Sequence, residues 1–465
     1  MDQICILPGD VADPSILEEN GVYYLTCSTF CYAPGLIIHK SVNLIDWDKI
    51  CYAIPESFGD IWAPDLVRSN DKYYIYFPSK GTIWVTWSND PEQGWSEPVD
   101  LNVRGFIDPG HIADVLTGER YLFFNNGYAA KLSYDGLSVQ GDLQKVYHEW
   151  PIPAEWDIEG VCLESPKLFY RYPYYYLTVA EGGTAGPPTS HMAVSFRSRK
   201  LLSGWEASPY NPILHTADDS EQWWSVGHAT LFEDNEKNPY LIYHGYKKHN
   251  RNMGRQTLLC KAEWTHDGWF RAIDSNLPEV SEFPDFVDRF SDDPLSLEWS
   301  FFKNHDLSRI ETGNGLNIKT SGLVLSDSSP LMLNNRWADC ELITKVFVPR
   351  GAEGGLTFFY NEDANIGLCL NDEGVFVIIR GTYIKTDIRF SGELYLKIRK
   401  SKNVVSFYYS MDGIEYTKSP ASFDVSFYEH NVFGSFLALR PGIYSAKSGV
   451  VRFSEVVYRK YVKSL

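Results

Sequence analysis

Short runs of apolar residues, roughly four to eight long and separated by Gly, Asn, Asp and Pro, follow one another along the whole chain, while helical periodicity is nearly absent. VYYLTC (Val22 to Cys27), KYYIYFP (Lys72 to Pro78), RYLFFNN (Arg120 to Asn126), YYYLTV (Tyr174 to Val179) and PYLIYHGY (Pro239 to Tyr246) each predict a strand rich in aromatic and β-branched residues. Turn chemistry punctuates them, as in Glu19-Asn20-Gly21, Ser69-Asn70-Asp71 and Asp135-Gly136.

These strands belong to a repeat. Its units open at Ala12-Asp13-Pro14, Trp62-Ala63-Pro64-Asp65, Ile107-Asp108-Pro109, Leu163-Glu164-Ser165-Pro166 and Gly227-His228-Ala229. They close near Asp46-Trp47, Gly94-Trp95, Asp135-Gly136, Gly204-Trp205 and Gly268-Trp269, the third without its Trp. A unit of about 45 to 60 residues is the size of a four-stranded propeller blade, so the pattern predicts an all-β fold with a five-bladed β-propeller. From about Phe283 the repeat stops. An acidic junction, FPDFVDRFSDDPLSLEWSFF, leads into runs such as LITKVFV, GGLTFFY, GVFVIIR, ELYLKIRK and VVRFSEVVY, which predict an antiparallel β-sandwich. The expected domains are therefore residues 1–282 and 283–465.

Three of the openings carry an acid: Asp13, Asp108 and Glu164. A Pro favours an extended backbone before it and cannot donate to a ladder, so these acids belong at strand mouths. Inner strands of a propeller converge on its axis, and equivalent openings would bring the three acids into one pocket. A single such Asp is often just a turn residue bonding its own backbone, but three at matching positions of a repeat make that reading weak. Like charges crowded out of water raise at least one carboxyl pKa, leaving one proton donor beside one ionised base, the pair that glycoside hydrolysis needs. Asp65 stands after its Pro and is expected to be structural. Glu159, Glu181 and Asp114 lie close enough in sequence to remain alternatives. His228 opens the fifth unit where acids open others, which predicts an axial position holding a water or a hard cation. Water is favoured, because Ca²⁺ prefers oxygen donors. Ser190-His191 reads as a poor nucleophile–base pair, since neighbours along a strand face opposite ways. HExxH, Walker and GxSxG motifs are missing.

The net charge of −18 argues against nucleic acid or an anionic membrane as partner and leaves an oligosaccharide as the better fit. Fourteen Trp and 30 Tyr would serve sugar stacking as well as a core. The eight Cys show no CxxC pair and read as reduced core thiols. The N-terminus shows no basic segment followed by an apolar run, which gives a cytoplasmic expectation that a secreted chain trimmed of its leader would share.

The ordered set ADPSI, WAPD, IDP, ESPKLF, AEGGT, GHA and GRQT resembles glycoside hydrolase family 43, over about Asp10 to Ala272. The resemblance implies a five-bladed propeller that inverts anomeric configuration. It implies Asp13 as general base, Glu164 as general acid and Asp108 as the acid that tunes and orients the donor, with Arg255 and Trp62 contacting substrate. No cofactor is required by it, though a structural Ca²⁺ near the axis would be compatible. The tail resembles the concanavalin-like, jelly-roll C-terminal domain of family 43 β-xylosidases. Substrates implied are pentosides of xylan or arabinoxylan, cleaved by a β-xylosidase or an α-L-arabinofuranosidase. The alternatives are a galactose-acting exo-enzyme and a propeller lectin that binds without cleaving. Ser165 in place of the usual Gly and the insert AGPPTSHM bear on sugar identity more than on mechanism. Oligomeric state has no signal in the sequence.

Overall fold

A computed structural model describes residues 3–463 apart from 275, 276, 279, 281, 292, 293 and 389–391. Asp292 and Asp293 of the acidic junction thus lie outside the described residues. The chain divides into two compact units, residues 1–248 with 255–281, and residues 249–254 with 282–465. The six-residue excursion at 249–254 carries no compositional mark that the sequence reading could have used.

Five antiparallel sheets make up the first unit, one per repeat. The first holds Ser15–Glu19, Val22–Thr26, Gly35–Ser41 and Asp48–Ile54. The second holds Asp65–Ser69, Lys72–Ser79, Thr82–Ser88 and Val99–Arg104, and the third Gly110–Ala113, Arg120–Phe123, Tyr128–Leu132 and Val139–Lys145. The fourth is built on Glu164–Arg171, Tyr174–Glu181 and Met192–Ser198, and the fifth on Trp223–Glu233, Pro239–Lys247 and Arg255–Trp264. In every blade the "closing" motif is the turn before the last strand; Asp135-Gly136, for example, precedes Val139–Lys145 and does not end its blade. The outer edge of the fifth sheet is supplied in part by the other end of the unit, Ile4–Leu7, which pairs with Arg255–Trp264. That closure was not visible in the repeat.

The second strand of each blade is mostly apolar because both its faces are buried between blades. In Lys72–Ser79, Tyr74 and Tyr76 pack towards Leu122 and Phe124 of the third blade, while Ile75 and Phe77 pack towards Leu36 and Ile38 of the first. Where inner strands meet there is no room for side chains: a Cβ on Gly110 would stand 1.7 Å from the Pro166 carbonyl oxygen.

The register of the openings differs from the sequence expectation at one place. Asp13 (φ 57°), Asp108 (φ 55°) and His228 (φ 57°) share a left-handed backbone conformation, and the residue that shares it in the fourth blade is Ser165 (φ 54°). Glu164 therefore sits one position earlier than the other two acids, not at the equivalent position. Non-Gly residues in this conformation cost roughly 1–3 kcal/mol each and persist where the surroundings fix them.

The second unit is an antiparallel sandwich. One sheet runs Ile310–Glu311, Leu316–Lys319, Val450–Lys460, Cys340–Phe347, Glu393–Ser401, Val404–Ser410, Thr417–Asp424. The other contains Thr382–Lys385, Gly374–Ile379, Asn365–Asn371, Ala352–Phe359, Arg440–Lys447, Leu331–Leu333 and Trp299–Phe302 in that order. Alternation sets the core: Leu394, Leu396 and Ile398 are fully buried, whereas Tyr395 and Arg399 on the opposite face are partly exposed. Among the described residues the one α-helix is His430–Phe433. Of the eight cysteines only Cys162 is exposed.

Candidate active site

Each acid occupies the mouth of an inner strand, and ring closure supplies its partners. Asp13, 3% exposed, is met from 242 residues away by Arg255, whose Nη1 lies 3.1 Å from Oδ1. The two strands are locked beside this contact, with Val11 N donating to Arg255 O (3.1 Å) and Thr257 Oγ1 donating to Val11 O (2.6 Å). His228 Nδ1 stands 3.3 Å from Asp13 Oδ1, and the Asp13 amide donates to His244 Nδ1 at 3.1 Å. Ser28 donates to Asp13 Oδ2 and accepts from Ala63 N (2.7 Å), so Asp13 is tied to the Trp62-Ala63-Pro64-Asp65 run. Trp62 itself is 43% exposed, unusual for an indole beside so many buried groups. The guanidinium of Arg255 also lies over the Phe30 ring, at 5.6 Å.

Burial alone would raise the Asp13 carboxyl, but Arg255, with His228 and His244, outweighs it and holds the group well below the ordinary range. Asp13 is an ionised carboxylate. Asp108 and Glu164 are shifted the other way. Burial, then the Asp13 charge, pushes Asp108 up to about 7, against the opposing pull of Lys167 and of the Ser165 amide that donates to Oδ2 at 3.2 Å. Burial, then Asp108 and Asp13, raises Glu164 well above its usual value. Its side chain keeps some exposure while the carboxyl group has no hydrogen-bond partner among the described residues. Nearby acids with opposite shifts make a proton donor and a base of two chemically similar groups.

The structure thus brings Asp13, Asp108, Glu164, His228 and Arg255 into one electrostatic neighbourhood. The alternatives go elsewhere. Asp114 caps a turn, accepting from Leu116 N (2.8 Å) and Thr117 N (3.1 Å). Glu181 is fully buried, accepts from Trp150 N (2.8 Å) and is pushed by burial up to about 8. Glu159 accepts from Ala185 N (2.7 Å) and acts on Glu164 only as a further negative charge. Asp65 is structural as expected, but with a partner the sequence did not announce: Lys167 Nζ donates to it at 2.8 Å, alongside His111 N at 2.7 Å and Ser15 Oγ at 3.3 Å. Ser190 donates to Gly182 O and accepts from Glu159 N (2.9 Å), so it forms no pair with His191.

Of two further buried histidines at the site, His244 carries no sequence expectation and His191 is read only as a poor partner for Ser190. Both are fully buried, their rings stack at 5.4 Å, and burial is the main reason that both are held neutral, His244 at about 4. The one usable signal was that His244 interrupts the largely apolar strand Pro239–Lys247. The donors around His228 are mainly imidazole nitrogens, and Arg255 already faces the Asp13 oxygens, so this set does not fit Ca²⁺, which takes six to eight oxygen ligands.

Comparison with known proteins accords with this geometry. The chain is 26% identical over 495 residues to a non-reducing end alpha-L-arabinofuranosidase of Bacteroides ovatus, covering 96% of this chain and 91% of that protein. It is 26% identical over 486 residues to a beta-xylosidase of Bacillus subtilis, covering 89% of this chain and 90% of the other. The crystal structure of a GH43 protein from Bacillus licheniformis superposes with a TM-score of 0.89 at 25% identity, over 99% of this chain and 100% of that one. The beta xylosidase C-terminal concanavalin A-like domain matches residues 287–459, and glycosyl hydrolases family 43 matches residues 3–270: the chain belongs to glycoside hydrolase family 43.

Proposed function

We propose that this glycosidase is an inverting exo-enzyme that releases a terminal xylose or arabinose from hemicellulose oligosaccharides such as xylan or arabinoxylan. The observation that carries the reading is the opposite tuning of two electrostatically coupled acids, Asp13 held ionised and Glu164 held protonated. Relatives named for arabinofuranosidase and β-xylosidase activity support the pentose.

In the proposed mechanism, Asp13 takes a proton from a water as its oxygen bonds to the anomeric carbon. Glu164 gives its proton to the departing glycosidic oxygen on the opposite face, and the C–O bond to the leaving group breaks. Asp108 holds the Ser165 amide, fixing the backbone next to Glu164, and its charge keeps the donor protonated. Arg255 and His228 orient Asp13, and Trp62 offers a stacking surface to the sugar. Inversion requires a separation of about 6.5–9.5 Å between the two carboxyl groups, leaving room for the water. NMR of the first-formed sugar from a nitrophenyl pentoside tests the scheme. The inverted anomer is expected, and the retained anomer would rule the mechanism out. A panel of pentosides and hexosides separates xylose, arabinose and galactose action, and no turnover of any would favour a lectin.

A further inference from the structure

Just past the strand Val22–Thr26, Ser28 joins two parts of the site with one hydroxyl. Its amide donates to Ala12 O at 3.0 Å, which sets it beside Asp13, and the residue is 1% exposed. The hydroxyl donates to Asp13 Oδ2 and accepts from Ala63 N at 2.7 Å. Chemistry fixes these roles. An ionised carboxylate can only accept, a backbone N–H can only donate, and Ser has a single proton to give. Arg255 Nη1 stands 3.1 Å from Asp13 Oδ1, so the carboxylate is held at both of its oxygens.

The next two residues grip the same neighbouring run. Thr29 N and Phe30 N both donate to Ile61 O, at 3.1 and 2.9 Å, and Ile61 N donates to Phe30 O at 3.0 Å. Phe30 does this with a left-handed backbone, φ 49°, and its ring lies 5.6 Å from the Arg255 guanidinium. Trp62 therefore stands between Ile61 and Ala63, whose backbones are both bound to residues 28–30. Its own amide donates to Pro78 O at 3.2 Å. An indole that is 43% exposed takes its direction from this backbone more than from packing. The path from Asp13 to the backbone beside Trp62 is two hydrogen bonds, both made by the Ser28 hydroxyl.

A sugar stacked on Trp62 reacts only if its anomeric carbon meets the water that Asp13 activates. A misplacement of about 1 Å can cost about 100-fold in rate. We propose that Ser28 is a positioning residue that sets the Trp62 platform in register with the Asp13 carboxylate. The inference rests on the function proposed above.

Ser28→Ala removes one buried oxygen. It should lower kcat/KM on a nitrophenyl pentoside by about 10- to 100-fold, through both a lower kcat and a higher KM. Ser28→Thr keeps the hydroxyl and should recover most of that loss. If the added methyl prevents folding, Ser28→Cys takes its place and, as a weaker donor, should fall between wild type and Ala. In a double-mutant cycle, Ser28→Ala and Trp62→Ala should be coupled by about threefold or more, because the register has no effect once the indole is gone. Independent losses in the cycle, or a folded replacement no better than Ala, would overturn the proposal. Should wild type turn over no pentoside, the proposed function fails, and calorimetric binding of xylose and arabinose carries the test. Affinity should then fall in Ser28→Ala and return in the replacement. Equal affinities, or no binding by any of the three proteins, would overturn the proposal there too.

Discussion

Buried carboxyl groups occur in both units, and they are treated in opposite ways. In the sandwich, Glu353 is fully buried and saturated, with Tyr383 OH at 2.6 Å, Asn371 Nδ2 at 3.0 Å, Tyr444 OH at 3.1 Å and Lys447 Nζ at 3.0 Å. Glu341, 3% exposed, takes Arg399 Nε at 2.7 Å and Arg459 Nη2 at 2.8 Å; burial would raise it, but those two arginines and Lys397 hold it low. In the propeller, Glu164 has no such partner among the described residues, and the acids Asp108, Asp13 and Glu159 outweigh the pull of Arg255 on it. A carboxylate whose lone pairs are all filled has nothing left to offer a substrate. One left unfilled in a desolvated site pays in stability and keeps a reactive proton. The same contrast exists within the propeller, between the saturated Asp65–Lys167 pair and the acids it supports.

This contrast can be broken at several points. The largest effect belongs to the unsaturated group. Glu164→Ala should reduce kcat/KM about 100- to 10,000-fold on substrates with poor leaving groups, with far smaller losses on aryl pentosides whose leaving groups need no proton. Equal losses on both classes would deny Glu164 the donor role. Next is the saturated axial pair: Asp65→Ala strands the Lys167 ammonium, 3% exposed, and should cost about 3–5 kcal/mol in urea unfolding of the propeller. A cost below about 1 kcal/mol would mean that the pair is no better than a surface one.

Glu341→Gln should cost less, about 1–3 kcal/mol, because its cations Arg399 and Arg459 are 24% and 44% exposed and water screens them once unpaired. The folded variant should keep kcat within about twofold, since saturated carboxylates hold structure and not chemistry. The smallest effect is a pH signature. Asp108 is raised from 3.8 to about 7 on folding, so the unfolded chain loses this proton first and the fold is penalised as pH climbs between those values. Asp108→Asn removes that penalty while keeping an acceptor for the Ser165 amide. Its melting temperature should match wild type near pH 4 and exceed it by a few degrees at pH 8. A gain independent of pH would show that the Asp108 charge is not strained.

Much of this could be read from local pattern. Strand runs, turn dipeptides and the repeated openings are encoded within a few residues, so five blades, the sandwich, and the acids Asp13, Asp108 and Glu164 were accessible without coordinates. The one-residue offset of Glu164 is also written in the sequence, since Ser165 separates it from Pro166 where Asp13 and Asp108 precede their prolines directly; the left-handed backbone at these positions was not legible. Nor was the pairing of His191 with His244, which stacks a residue outside the strands on a strand residue of the next blade. A period of two along a strand says that neighbours face opposite sides, without saying which side is the pocket.

By itself the sequence determined the architecture of each unit and the chemical type of the candidate site groups, since both depend on short-range spacing and residue identity. Only the tertiary structure decided their protonation. Asp13 is ionised and Glu164 is not because ring closure carries Arg255 across 242 residues to the first acid and leaves the second among like charges. A pKa depends on distances of a few ångströms between groups that are remote in sequence, and those distances exist only once the propeller has closed.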